Sequence, residues 1–254
     1  MSLDACAALV ARGDPDRFAA LMAAPVSARA RLLPLYALNL EVARAPWVSK
    51  ETMISEMRLQ WWRDVVAGPA ARAHEVAGPL HALIHEAHLP VDVLDRLIEA
   101  RRWDIYRDPF EDEAAFDAYI EDTSAGLMWL CALALGAPAQ AEAPVRAYGW
   151  ASGVANYLRA VPALEARGRV PLLDGRPEGV ARLAARGLLR LRAAQKARGH
   201  VPAPVAPALL AGWQAEGLLQ MAARDPGAVA ADALALSEFA RRGRLMWQAF
   251  SGRW

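Results

Sequence analysis

The chain contains almost nothing that reads as a β-strand. No stretch sustains the two-residue alternation of Val, Ile and Thr that a half-buried strand requires. Apolar residues recur instead at three- and four-residue spacing, the period of amphipathic helices. That excludes sheet-based architectures and leaves helix-on-helix packing. Helix signals follow in order. Asp14-Pro15 supplies a cap and a first-turn proline ahead of Phe18, Leu21 and Met22. Leu32 to Arg44 reads as helix, with Pro34 an irregularity. Ser49 is placed to cap the next helix, in which Met53, Met57, Trp61 and Val65 form an inward apolar stripe. Pro90 opens a helix with Leu94, Leu97 and Ile98 inward, ended by Asp108-Pro109. Phe116 to Leu135 is the most apolar helix, stopped by Gly136-Ala137-Pro138. A further helix spans Pro144 to Arg159 and breaks near Pro162. After a proline-rich loop, Val201–Pro207, come helices over Ala208–Ala223 and Ala228–Phe250.

Hydrophobic residues make up 55% of 254, enough for one sizeable core, and no composition break divides the chain, so a single domain over 1–254 is expected. With 29 basic and 28 acidic residues there is no field to attract nucleic acid. Cys6 and Cys131 lack metal-ligand spacing and suit a reduced, cytoplasmic setting. The N-terminus shows no signal peptide. The longest apolar run, Ala125–Ala139, falls short of the roughly 18 residues of a spanning helix and is broken by glycine and proline.

Polar residues at inward helical positions carry the functional information, because burying them is costly unless they pair or line a wet cavity. Arg58 lies four residues from both Ile54 and Trp62. Asp104 lies seven after Leu97 and three after Arg101, a spacing that also permits an ion pair. Ser152, Asn156 and Arg159 follow one another at helical spacing.

Three segments resemble the squalene/phytoene synthase family of head-to-head prenyl synthases. The first is Leu35-Tyr36-Ala37-Leu38-Asn39, followed by Leu59-Gln60-Trp61-Trp62-Arg63-Asp64. The second runs from Ala100-Arg101-Arg102-Trp103-Asp104-Ile105 through Phe116-Asp117-Ala118-Tyr119 to Thr123-Ser124-Ala125-Gly126-Leu127-Met128. The third is Gly149 to Leu172, with Asn156-Tyr157-Leu158-Arg159 and Arg167-Gly168-Arg169. The resemblance covers about Phe18 to Leu172. It implies an all-α, isoprenoid-synthase-like helical bundle around a central cavity.

The family's active members hold magnesium, and through it the substrate diphosphates, on two Asp-rich motifs. Mg²⁺ demands hard oxygen ligands. In the first motif the matching positions are Ala43, Arg44 and Trp47; in the second they are Ala160, Ala163 and Leu164. Every matched carboxylate is absent. A sub-branch with such losses includes a mitochondrial assembly factor for respiratory complex I and bacterial relatives. Glu56-Met57-Arg58-Leu59-Gln60-Trp61-Trp62-Arg63-Asp64 and Leu158-Arg159-Ala160-Val161-Pro162 are similar to it.

Rival chemistries are weaker. His81, His85 and His88 are spaced to share one helical face, but a solvated surface accounts for them better than zinc. Gly149-Trp150-Ala151-Ser152-Gly153 lacks the strand and the Gly-x-Ser-x-Gly pattern of a nucleophile elbow. Glu41, Glu56 and Asp64 flank the first degenerate motif, and Glu41 is expected to pair with Arg44 or Arg63. Arg241, Arg242 and Arg244 with Trp247 and Trp254 read as a solvated face with an anchoring Trp, against a reading as a contact for anionic lipid or a partner.

The resulting expectation is a protein without catalytic or metal-binding residues and without a cofactor. Tyr36, Asn39, Arg58, Trp62, Arg63, Asp104, Ser152, Asn156 and Arg159 would line the remnant cavity. Its partners would be an isoprenoid-like or anionic small molecule, or a membrane-associated protein. The location would be cytoplasmic, or peripheral to the inner membrane, and the role binding or assembly, as for complex I. The alternative is a prenyl transferase with a metal site relocated to Glu41, Glu56, Asp64 or Asp104.

Overall fold

A computed structural model describes residues 3–49 and 51–254, and among these no strand occurs. Helices α1 (Leu3–Gly13) and α2 (Pro15–Ala23) lead into the long α3 (Val26–Val48). Next come α4 (Thr52–Ala67), α5 (Ala77–Glu86) and α6 (Val91–Glu99), the last continued by a 3₁₀ turn, Ala100–Asp104. Helices α7 (Glu113–Ile120) and α8 (Gly126–Ala134) are joined through a π-helical turn, Glu121–Ala125. The second long helix, α9 (Glu142–Glu165), is followed by α10 (Pro177–Lys196) and a 3₁₀ stretch, Ala203–Gly212. Then come α11 (Ala215–Arg224), α12 (Gly227–Ala230) and α13 (Glu238–Ser251).

The capping signals hold where a side chain can reach an orphan N–H. The Asp14 carboxylate accepts from the Arg17 amide at 2.9 Å, and Asp112 accepts from the Ala115 amide at 2.8 Å. Ser49 does not cap α4, whose N-cap position is Glu51; its hydroxyl accepts instead from the Glu51 amide at 3.0 Å.

Both long helices run through their prolines. Pro34 is buried within α3, and α9 continues past Pro162 to Glu165 rather than breaking there. A proline forfeits one intrahelical hydrogen bond and clashes with the preceding turn, at a cost of about 3 kcal/mol. The packing of α3 exceeds that cost: Leu32, Leu33, Leu35, Tyr36, Leu38 and Leu40 are buried on all sides of it. The end of α9 is set by Gly168 at φ +76°. The Gly168 amide donates to Glu165 and the Arg169 amide to Leu164, a Schellman closure that turns Arg169 back into the protein.

Three further expectations are corrected. Helix α4 presents Ser55, Leu59, Trp62, Val65 and Val66 inward; of the expected stripe Val65 is buried and Trp61 packs against the core, while Met53 and Met57 are 70% and 65% exposed. Two apolar stripes compete on this helix, and the one through Leu59 and Trp62 faces the core. Val201–Pro207 is in large part helical, within the 3₁₀ stretch, and the final region is divided among α11, α12 and α13. The α6 helix ends at Glu99, well before Asp108-Pro109, and the 3₁₀ turn to Asp104 takes over.

Helix α9 lies against the π turn through Gly149 and Gly153. A Cβ at Gly149 would stand 2.8 Å from the Ala125 Cα, and one at Gly153 would stand 2.6 Å from the Ser124 Cβ. Replacing a helical glycine with alanine ordinarily gains up to about 1 kcal/mol. Here a backbone atom blocks the methyl group, and overpacking costs about 1–3 kcal/mol. Gly149→Ala is therefore expected to lower stability by about 1–2 kcal/mol, read as a shifted midpoint in urea unfolding. An increase would show that α9 and the π turn can move apart.

Candidate functional site

A cavity of about 750 Å³ lies between α2, α3, the turn after α6, the π turn, α9 and the 3₁₀ stretch before α11. Helix α3 lines it with Asn39, Leu40, Ala43 and Trp47. Helix α9 lines the facing wall with Ser152, Asn156, Arg159, Ala160, Ala163 and Leu164. Both degenerate motifs thus meet across one space. Arg44 is the exception: it is exposed and absent from the lining, so on α3 it is Ala43 and Trp47, four apart, that face the cavity.

The floor is a buried polar network. Arg101 donates from Nη1 to the Tyr119 hydroxyl at 3.0 Å and to Asp104 at 3.4 Å, and from Nη2 to the Asn39 side-chain oxygen at 3.2 Å. The Tyr119 hydroxyl lies 3.1 Å from both Asp104 oxygens. Burial pushes the Asp104 carboxyl up and outweighs the pull of Arg101 and Tyr119. Burial works against the Arg101 charge too, but Tyr119 and Asp104 reverse that effect and raise it. Asp104 is therefore the counter-ion of a buried guanidinium. Arg169 supports the turn from behind, donating to the Asp104 carbonyl at 2.9 Å and the Trp103 carbonyl at 2.6 Å, with its guanidinium 4.1 Å over the Trp103 ring. This gives the Arg167-Gly168-Arg169 element a physical purpose.

The other side of the cavity is cationic. Arg159 donates to Asp16 at 3.0 Å, and Arg241 of α13 binds the same carboxylate. Burial opposes ionisation of Asp16, but hydrogen bonds from Arg159 and Gln214 and the charge of Arg241 hold it below the ordinary range. Arg167 stacks 4.5 Å over the Trp47 ring and forms no ion pair among the described residues. One carboxylate thus serves two arginines, and a third, Arg167, lines the same cavity.

Of the residues singled out in the sequence, Asn39, Asp104, Ser152, Asn156 and Arg159 line this cavity. Tyr36 lies deeper, on a small void beneath it, with the Arg17 guanidinium 5.1 Å over its ring. Arg58, Trp62 and Arg63 lie elsewhere, because α4 turns their side chains away. Arg58 pairs with Glu41 at 3.6 Å, which also replaces the expected Arg44 or Arg63 partner of Glu41. Arg63 clamps Asp95 and Glu99 at 2.6 and 2.7 Å. Trp62 is buried, its ring 4.8 Å from that of Trp61 and 5.2 Å from that of His74. Sequence reasoning did not single out Tyr119, Arg167, Asp16 or Arg241 as cavity residues. Asp16 lies 143 and 225 positions from its two arginines, a separation that leaves no local signal.

Magnesium does not fit these donors. Ala43, Trp47, Ala160, Ala163 and Leu164 offer no hard oxygen. The carboxylates present are engaged: Asp14 caps α2 and pairs with Arg17, Asp16 holds Arg159 and Arg241, and Asp104 holds Arg101. Glu41, Glu56 and Asp64 do not line the cavity; Glu56 pairs with Arg102 and Asp64 with Arg72. Among the described residues no group of three or more His, Cys, Asp and Glu side chains is arranged to hold a metal. The histidine spacing does not survive either: the His81 and His85 rings lie 4.3 Å apart, tilted at 60°, but His88 lies beyond the end of α5 at φ +50°.

The architecture matches solved prenyl synthases. A dehydrosqualene synthase solved in complex with a ligand superposes with a TM-score of 0.78 at 13% identity, covering 98% of this chain and 95% of that one. Squalene synthase HpnC from Alicyclobacillus acidocaldarius superposes with a TM-score of 0.71 at 20% identity, covering 88% and 93%. No curated protein matches the sequence. The family model described as Squalene/phytoene synthase matches residues 10–172, more than half of the chain and a span that includes both faced motifs. The chain belongs to the squalene/phytoene synthase family.

Proposed function

We propose that this protein is a non-catalytic family member, one helical domain over 1–254, whose cavity binds an anionic, isoprenoid-like molecule without a metal. The observation that carries the reading is the lining itself. The positions facing the cavity that would have to supply carboxylates are apolar, and the carboxylates that do line it, Asp14, Asp16 and Asp104, are each bound to arginine. A diphosphate or similar anion would be met directly by Arg159, Arg167 and Arg241, whose guanidinium forks suit phosphate oxygens. Its apolar tail would lie along Leu40, Ala43, Ala160 and Leu164. The dehydrosqualene synthase of the same fold was solved with a ligand bound, which supports a binding role for the shared architecture.

Binding without turnover suits an adaptor. The proposed role is in assembly, with respiratory complex I the candidate suggested by the similar sub-branch, and a cytoplasmic location peripheral to the inner membrane. No described helix is long and apolar enough to cross a membrane. A prenyl transferase with a relocated metal site would need two free carboxylates converging in the cavity, whereas those present are bound to arginines.

Titration calorimetry with farnesyl and geranylgeranyl diphosphate, with and without magnesium, tests this. The expected result is binding without magnesium that its addition does not strengthen, and no release of pyrophosphate. Binding that needs magnesium, or turnover, would restore the enzyme reading. No heat in either condition would remove the isoprenoid ligand.

A further inference from the structure

Helix α13 carries its polarity inside out. None of its side chains is buried, yet Phe239 and Phe250 are each 91% exposed, Met246 71% and Trp247 60%. At 100° per residue, Phe239, Met246 and Phe250 fall within one narrow stripe, with Gly243 and Trp247 along its flank. The opposite face carries Arg241 and Arg244 and is turned to the protein: Arg241 binds Asp16, and Arg244 approaches Glu216 at 3.8 Å, while Glu238 and Arg242 pair with each other on the exposed flank. Trp254, past the Gly252 cap at φ +63°, anchors the end of the helix against the Tyr148 ring at 5.0 Å. Helix α13 is thus fixed with its apolar stripe outward, where it meets only water. Exposed apolar stripes of this kind mark interaction surfaces.

We infer that the outer face of α13 docks onto an anionic lipid surface, with Phe239, Met246, Trp247 and Phe250 inserted at the level of the headgroups. Three features favour lipid over a second copy. A 14-residue helix is about 21 Å long, so a face about 10 Å wide would bury about 400 Å² across a dimer, against at least about 1,200 Å² for a stable one. The residues are Phe and Trp, whose rings suit the boundary between headgroup and acyl chain. Arg242, exposed in the same turns as the stripe, is paired with Glu238 at 2.9 Å and adds no net charge there, but Arg253 follows exposed beyond the cap with no ion pair to a described residue and is placed to meet an anionic headgroup. Docking there is independent of what fills the cavity, and its test requires no cavity ligand.

The test is co-flotation of the purified protein with vesicles of phosphatidylglycerol and phosphatidylcholine, compared with the Phe239→Ser/Phe250→Ser variant. Both side chains are almost wholly in water, so the variant is expected to unfold at the same temperature as the wild type. Wild-type protein is expected to float with the vesicles, and the variant to bind at least about tenfold more weakly, the effect of withdrawing two partly inserted rings. Replacing phosphatidylglycerol with phosphatidylcholine is expected to weaken binding several-fold. Three results would overturn the inference: wild-type protein that stays in solution, a variant that binds equally well, or a wild-type dimer that the substitutions convert to monomer without any vesicle binding.

Discussion

Asp104→Ala is expected to lower the free energy of unfolding by about 3 kcal/mol, the lower end of the cost of breaking a buried ion pair, and the melting temperature by roughly 6–12 °C. Asp104 is 6% exposed, and the Arg101 side chain it serves is 14% exposed. Arginine cannot shed its proton, so removing the carboxylate leaves a buried positive charge with only neutral partners, Asn39 and Tyr119. Those two hydrogen bonds are why the lower end of the range applies. The network also joins elements distant in sequence: Asn39 lies on α3, Tyr119 on α7, and Arg169 behind the turn that carries Asp104. The loss should therefore be global rather than confined to one turn. The control is Arg101→Met/Asp104→Asn, which removes both charges. Chemical denaturation should show it more stable than Asp104→Ala alone, because no unpaired charge then stays buried. Equal stability of Asp104→Ala and the wild type would mean that water reaches Arg101 from the cavity and screens it.

Much of this fold was legible because helices announce themselves locally. The Asp14-Pro15 start, the apolar run ending at Gly136 and the inward Leu94, Leu97 and Ile98 rest on interactions within a few residues, and all are present in the structure. Helix α10 was also readable in principle, from Val180, Ala184, Leu188 and Leu191 behind Pro177, but its many arginines masked the stripe. What local pattern could not decide was the choice between two apolar faces on α4. That choice rests on tertiary packing of α4 against α3 and α6, and it carried Arg58, Trp62 and Arg63 away from the cavity. The site divides in the same way. The two degenerate motifs could be placed from sequence because the helices holding them are long and regular. The cationic group could not, because Asp16 recruits Arg159 and Arg241 through the tertiary fold alone.

That cationic group carries the second large expected effect. Arg159→Ala and Arg167→Ala are each expected to weaken binding of a prenyl diphosphate about tenfold, and together about a hundredfold, since a charge-assisted hydrogen bond contributes about 1.5 kcal/mol. Arg167 is the cleaner test: stacked on Trp47 and without an ion pair among the described residues, it has no carboxylate to strand when removed. Arg159 shares Asp16 with Arg241, so its loss still leaves that carboxylate a partner and should change stability little. Arg176→Ala, on the exposed Arg176–Asp174 pair away from the cavity, should leave affinity unchanged. Salt and magnesium give the reading its sign. Rising ionic strength should weaken binding, as it screens cation–anion attraction. Magnesium should leave affinity unchanged or reduce it, because it neutralises the diphosphate before the arginines can. A metal-dependent site behaves in the opposite way: its carboxylates repel the bare anion, and magnesium is what makes binding favourable. The direction in which magnesium moves the affinity therefore separates a cavity converted to direct anion binding from one that still works through a metal.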